Sequence, residues 1–174
     1  GVKLLNKRIR SVKSTQQITK AMKMVAAAKL NRSQGKMLAA RPYSQKLTKL
    51  VEHLASAADG ASPLFEVREV KRRLFVVVTS DKGLCGSYNH GMVQAASRFI
   101  DELPFPVELI SVGKRGRDTM WRMKRNIVAE FSDLPPQPGL LDVTPIAHVA
   151  MDGFVTEQYD VVYLAHTDFI NTLT

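Results

Sequence analysis

The residues of this chain that could do chemistry are few and scattered. Gly83-Leu84-Cys85-Gly86 follows an apolar run and could aim backbone amides at a phosphate, yet neither GxGxxG nor GxxxxGK[ST] occurs. The acidic residue that holds a ribose in dinucleotide-binding folds has no counterpart here. Cys85 is the only cysteine and its nearest histidine in sequence is His90, so it reads as a structural thiol rather than a nucleophile. His53, His90, His148 and His166 lack the spacing of zinc ligands. Asp81, Asp133 and Asp142 fall in loops without a paired carboxylate and read as solvated caps. Met120 and Trp121 read as core or surface packing. No catalytic residue, cofactor site or metal site is expected.

The strong chemical signal is charge. The first fifty residues carry thirteen Lys and Arg and no Asp or Glu, whereas residues 51–174 hold 12 basic against 16 acidic side chains. All of the chain's +9 therefore sits on the N-terminal arm. Such a polycation is suited to an acidic partner met along its length. Nucleic acid is one such partner, through counterion release. Against it, the arm offers only Tyr43 for base stacking and few base-reading side chains beyond Asn6, Asn31 and a handful of Gln. A membrane-surface or calmodulin-type helix would want Trp or Phe anchors, and the arm has none.

These residues must be positioned by two kinds of element. Steps of four and three from Leu5 pass through Ile9, Val12, Gln16, Thr19, Met22, Ala26, Leu30, Ser33, Met37, Ala40, Ser44, Leu47, Val51, Leu54 and Ala58, none of them charged. That seam predicts one long helix lying against another helix, ending at Asp59-Gly60 and kinked near Leu38–Arg41 by Pro42. At about 1.5 Å per residue it would span roughly 85 Å, so most of it must project from a domain of this size. Residues 59–73 form a connector containing Ser62-Pro63.

From there the pattern alternates. Strands are expected at Leu74–Thr79, Val107–Val112, Asn126–Phe131 and Asp160–Ala165. Helices are expected at His90–Leu103, after a Gly113–Gly116 turn to about Met123, and from Asp142 or Thr144 to about Gln158. The loops are Ser80–Asn89 and Pro135–Gly139. Strand and helix in alternation predict an α/β chain, a projecting helix of residues 1–58 plus a Rossmann-like parallel-sheet domain of residues 74–174. One cysteine excludes an internal disulfide framework, and no apolar run nears the roughly 20 residues of a spanning helix.

Residues 18–30, ITKAMKMVAAAKL, and 79–89, TSDKGLCGSYN, resemble the two N-terminal signatures of the gamma subunit of F-type ATP synthases, in order and spacing. Arg41-Pro42-Tyr43 and Asp168-Phe169-Ile170-Asn171-Thr172 resemble the same family. The resemblance implies a non-catalytic central-stalk rotor shaft, without cofactor. Its N-terminal helix would pair with a C-terminal helix, absent here, in an antiparallel coiled coil inside a hexamer of alternating alpha and beta subunits. The sheet domain would form a foot near the epsilon subunit and the membrane rotor c-ring. Torque from proton or sodium flow would reach the catalytic sites through the shaft. Carried over by position, Ile18, Thr19, Lys20, Met22, Lys23 and Val25 would contact partners on the shaft, with Met22 facing an acidic loop region of beta. Asp81, Lys82, Gly83, Leu84 and Cys85 would do so on the foot, near beta and epsilon. Family members run over 100 residues longer, which makes this chain an N-terminal part. The missing presequence and chloroplast-type cysteine insert imply a bacterial origin and the cytoplasmic face of the plasma membrane, with the mitochondrial matrix face as the alternative. A nucleic-acid-binding arm on a Rossmann-like domain, or a parallel-sheet enzyme, are the competing readings.

Overall fold

The computed structural model describes residues 1–57 and 62–171, in two compact units, Gly1–Asp59 and Gly60–Thr174. The expected stop at Asp59-Gly60, the seam end at Ala58 and Thr172 of the closing block lie outside the described residues.

The first unit is one helix, α1 (Val2–Ala57). Ala, Lys, Leu, Met and Gln dominate it, and these residues lose little rotamer freedom in a helix. It stays helical through Pro42. Its hydroxyls are satisfied locally. Thr19 Oγ1 donates to the Thr15 carbonyl at 3.0 Å, and Thr15 and Thr48 bond back one turn in the same way.

The second unit opens with a single 3₁₀ turn, Pro63–Phe65, with Ser62 as its N-cap. Then follow β1 (Arg73–Val78), α2 (Tyr88–Asp101), β2 (Val107–Val112), α3 (Lys114–Arg122), β3 (Ile127–Phe131), α4 (Leu140–Val155) and β4 (Val161–Ala165). The sheet order is β3-β2-β1-β4 and every pairing is parallel. Side-chain alternation along the central strands builds two cores. Phe75, Val77 and Leu109 meet Val93, Ala96 and Ile100 of α2 and Met120 of α3 on one face. Leu74, Val76, Ile110 and Val112 point to the other, where Tyr159 and α4's Ile146 and Ala150 cover them. Burial on both faces is why β1 and β2 read as continuous apolar runs.

Several expected boundaries move. Lys114–Gly116 is not a turn but the first turn of α3, because Gly113 takes φ +94° as the N-cap and the chain coils at once. A Cβ on Gly113 would lie 2.3 Å from the Thr79 carbonyl oxygen, so only glycine fits. α2 begins two residues early, at Tyr88. α4 begins at Leu140, since Asp142 does not cap it but sits in its first turn and accepts the Gly139 N–H at 2.7 Å. It ends at Val155, short of Gln158, where Glu157 adopts φ +59° and turns the chain into β4.

Beyond that turn, Tyr159 donates its hydroxyl to Glu108 at 2.6 Å. Burial, reinforced by this bond to a carboxylate, pushes its pKa up to about 12. Asp160 accepts the backbone N–H groups of Arg72 and Lys71 at 2.7 and 2.9 Å, which hold its carboxyl below the usual range.

Candidate functional site

The positions singled out on α1 are all exposed. At 100° per residue, Ile18, Met22 and Val25 fall within about 60° of one another, with Thr19 flanking them next to Met22 and with Lys20 and Lys23 toward the far side. Ile18, Met22 and Val25 leave 57%, 50% and 56% of their surface open, a cluster of large apolar side chains facing solvent. Thr19 already spends its hydroxyl proton inside the helix, so it can meet an apolar neighbour with its methyl. The same exposure runs along the seam, at Leu5, Ile9, Val12, Leu30, Leu47, Val51 and Leu54. Of the helix's described side chains none is buried, and only Gln34, Met37 and Arg41 are even partly covered. A helix of this length is therefore apolar along one stripe, cationic elsewhere, and without a core of its own.

The second group, Asp81 to Cys85, is held in one built loop between β1 and α2. Thr79 anchors its start: Oγ1 donates to the Val112 carbonyl at 3.0 Å and accepts the Gly116 N–H at 2.9 Å. A Cβ on Gly116 would come within 2.6 Å of that hydroxyl, which couples the loop's first residue to the glycine of α3. Asp81 Oδ1 accepts the N–H of Lys114 at 3.0 Å, capping α3 from another loop, and Lys114 Nζ pairs with Asp133 at 2.7 Å. Asn89 closes the loop. Its Oδ1 accepts the Ser80 N–H at 3.0 Å, and its Nδ2 donates to Ser80 Oγ at 2.9 Å and to Cys85 Sγ at 3.0 Å. Cys85 is exposed but engaged as an acceptor.

Leu84 sits at the tip in the left-handed region, φ 60°, with 95% of its surface exposed. A leucine in that conformation is strained by roughly 1–3 kcal/mol, and the hydrogen bonds around it hold it there. The loop therefore presents a rigid apolar knob beside Lys82. This geometry suits contact with another macromolecule. Sequence reasoning quoted Thr79 and Asn89 within a signature and Arg115 within a turn but gave none of them a site role, although they build or flank the loop. The GKRG glycine pair was the signal that something packs closely there. Among the described residues no three His, Cys, Asp or Glu side chains are grouped to hold a metal, and no helix is long and apolar enough to cross a membrane.

A protein-family model described as ATP synthase matches residues 1–174. The gamma chain of the ATP synthase of Pelotomaculum thermopropionicum is 40% identical over 170 residues, covering 97% of this chain and 60% of that one. The gamma chain of Geobacter sp. is 43% identical over 184 residues, covering 100% of this chain and 62% of that one. This chain thus spans about 60% of the length of the curated relatives it matches. Among solved structures, the central stalk and c-ring assembly of the Tetrahymena thermophila mitochondrial ATP synthase contains a chain that superposes with a TM-score of 0.72 at 28% identity, over 90% of this chain and 68% of that one. The rotor of the Euglena gracilis enzyme shares the fold, with a TM-score of 0.56 at 20% identity, over 91% of this chain and 54% of that one. A full-length match to the family model, gamma chains among the curated relatives and a central-stalk fold together mean that the chain belongs to the gamma-chain family of ATP synthases.

Proposed function

We propose that this chain is the shaft and foot of a central-stalk rotor, performing no chemistry itself and carrying torque between a membrane ring and a catalytic hexamer. The observation that carries this reading is α1, which combines an uncovered apolar seam with an acid-free basic surface. The seam calls for a second helix of the coiled-coil type. The basic surface would slide past acidic loops of the beta subunits through exposed pairs individually worth ~0–1 kcal/mol, weak enough to break and remake at each step. A rigid asymmetric shaft biases otherwise equivalent sites into different states, which is a coupling of binding free energies. Ile18, Thr19, Lys20, Met22, Lys23 and Val25 are the proposed shaft contacts. Asp81, Lys82, Gly83, Leu84 and Cys85 are the proposed foot contacts, toward beta and epsilon. On this reading the protein is peripheral to the membrane, and proton or sodium ions drive it through the c-ring.

The test is to mix the chain with purified alpha and beta subunits of a relative's synthase and weigh the product by native mass spectrometry. One copy per three alpha and three beta is the expected result. Failure to assemble both alone and with the C-terminal helix of a relative appended, together with salt-steep duplex DNA binding, would overturn it in favour of a nucleic-acid arm. Met22→Lys should lower coupling efficiency more than assembly, read as ion pumping per ATP hydrolysed.

A further inference from the structure

Residues 114–125 carry six Lys and Arg against the single Asp118, on a body whose net charge is negative. Three of the six are matched by carboxylates: Lys114 by Asp133, Arg117 by Asp118 and Glu130, and Arg125 by Asp101. Arg115 and Arg122 have no carboxylate partner among the described residues. Arg122 donates only to the Asp118 carbonyl at 3.1 Å and to Thr119 Oγ1 at 3.3 Å. Arg115 lies over Gly83 of the contact loop, close enough that a Cβ there would sit 3.2 Å from Nη2. The two arginines are two turns apart on α3 and share its face with Thr119.

That face forms one wall of a cleft of about 580 Å³ whose other wall is α2, with Asn89, His90 and Val93. Its acid, Asp118, is already held by Arg117 through Nε at 2.9 Å and Nη2 at 2.8 Å. Trp121 stands on the rim with 73% of its surface exposed. On its other side it lines a second groove, of about 450 Å³, against the edge strand β3. An uncovered tryptophan between two grooves, beside two guanidiniums that no carboxylate pairs with among the described residues, has the make-up of an interface anchor, since Trp and Arg dominate such contacts.

We propose that the α2/α3 cleft docks a short acidic segment of a partner polypeptide, its carboxylates on Arg115 and Arg122 and an apolar side chain against Trp121. Guanidinium forks match carboxylates in bidentate geometry, and a half-enclosed cleft strengthens the pairing. A nucleotide is the weaker fit. In parallel sheets nucleotides sit beyond the strand ends where the crossovers diverge, here between β1 and β4, whereas this cleft lies between two helices on one face. A long polyanion is disfavoured by the net −4 charge of residues 51–174. The inference concerns the foot alone and does not rest on the shaft reading of α1.

Trp121 is the only tryptophan in the chain, so its emission reports on the surroundings of this cleft. The full chain is titrated with a heptapeptide alternating Glu and Leu around a central Phe. The matching Lys peptide, ADP and inorganic phosphate serve as comparisons. A saturable blue shift with the Glu peptide alone is expected, weakened at least roughly tenfold in Arg115→Gln/Arg122→Gln, in line with losing two charge-assisted bonds. Arg115→Glu/Arg122→Glu should transfer the response to the Lys peptide, with circular dichroism confirming the fold. An unmoved emission, an unchanged response in the double Gln variant, or a shift with ADP or phosphate but not with the Glu peptide would overturn the proposal.

Discussion

α1 and β1 belong to one chain yet are stabilised in opposite ways. β1 buries five of its six residues under helices on both faces, while α1 buries none of its described side chains along 56 residues. Both are ordered by backbone hydrogen bonds, but only β1 adds apolar burial, worth about 25 cal/mol per Å² removed from water. A long helix can form from propensity and local bonds alone, with little margin against fraying. The contrast teaches that the body carries its own stability and that α1 takes most of its stability from whatever covers its seam.

The largest test of that contrast is amide exchange in the isolated chain. Amides of α1 should exchange at least roughly a thousandfold faster than those of β1 and β2, and should slow on assembly with alpha and beta subunits. Equal protection in the free chain would erase the comparison. A pair of substitutions sharpens it. Leu109→Ala removes a side chain that is 1% exposed and should cost about 3 kcal/mol in urea unfolding followed by Trp121 emission. Met22→Ala, on a half-open side chain, should stay within about 0.5 kcal/mol by the same measure, yet weaken assembly. A Met22 effect as large as that of Leu109 would mean the seam is already covered.

Alkaline titration gives a smaller, body-only effect. The folded pKa of Tyr159 stands near 12, above its ordinary 10, so the protonated phenol is the form that folding favours. Its contribution is complete below about pH 10 and lost as pH rises toward 12. Tyr159→Phe should remove that part of the pH dependence, and an unchanged profile would show that the buried hydroxyl is not responsible. The smallest effect belongs to the loop between β1 and α2. Asp81→Ala deletes the cap on the Lys114 N–H and should cost about 1 kcal/mol in thermal unfolding, without disturbing α1 helicity.

Much of this was legible in the residues. LFVVVT and VELISV announce central strands because both faces of each are buried, and the uncharged seam announces α1 because spacing of three and four is a helical property. The parts that were misread depend on distant partners. GKRG looked like a turn because its two glycines sit together. They are needed to let Thr79 approach, and the helix they open is capped by Asp81 from 33 residues away. Asp142 looked like an N-cap because the true cap, Gly139, has no side chain to advertise it. For the candidate site, the loop motif stood out by resemblance. The roles of Asn89 and Trp121 did not, since a buckle across a loop and an indole left bare on a helix are three-dimensional facts.

The parallel sheet also gives the body a direction. Every strand hands its following segment to the same rim, so the loop after β1, Gly113 after β2, residues 132–139 after β3 and the stretch after β4 all gather there. A partner gripping that rim would pull on four strands side by side. The three ladders between them would be loaded together in shear rather than opened one bond at a time. A body laid out this way resists a pull along its strands without peeling apart at an edge.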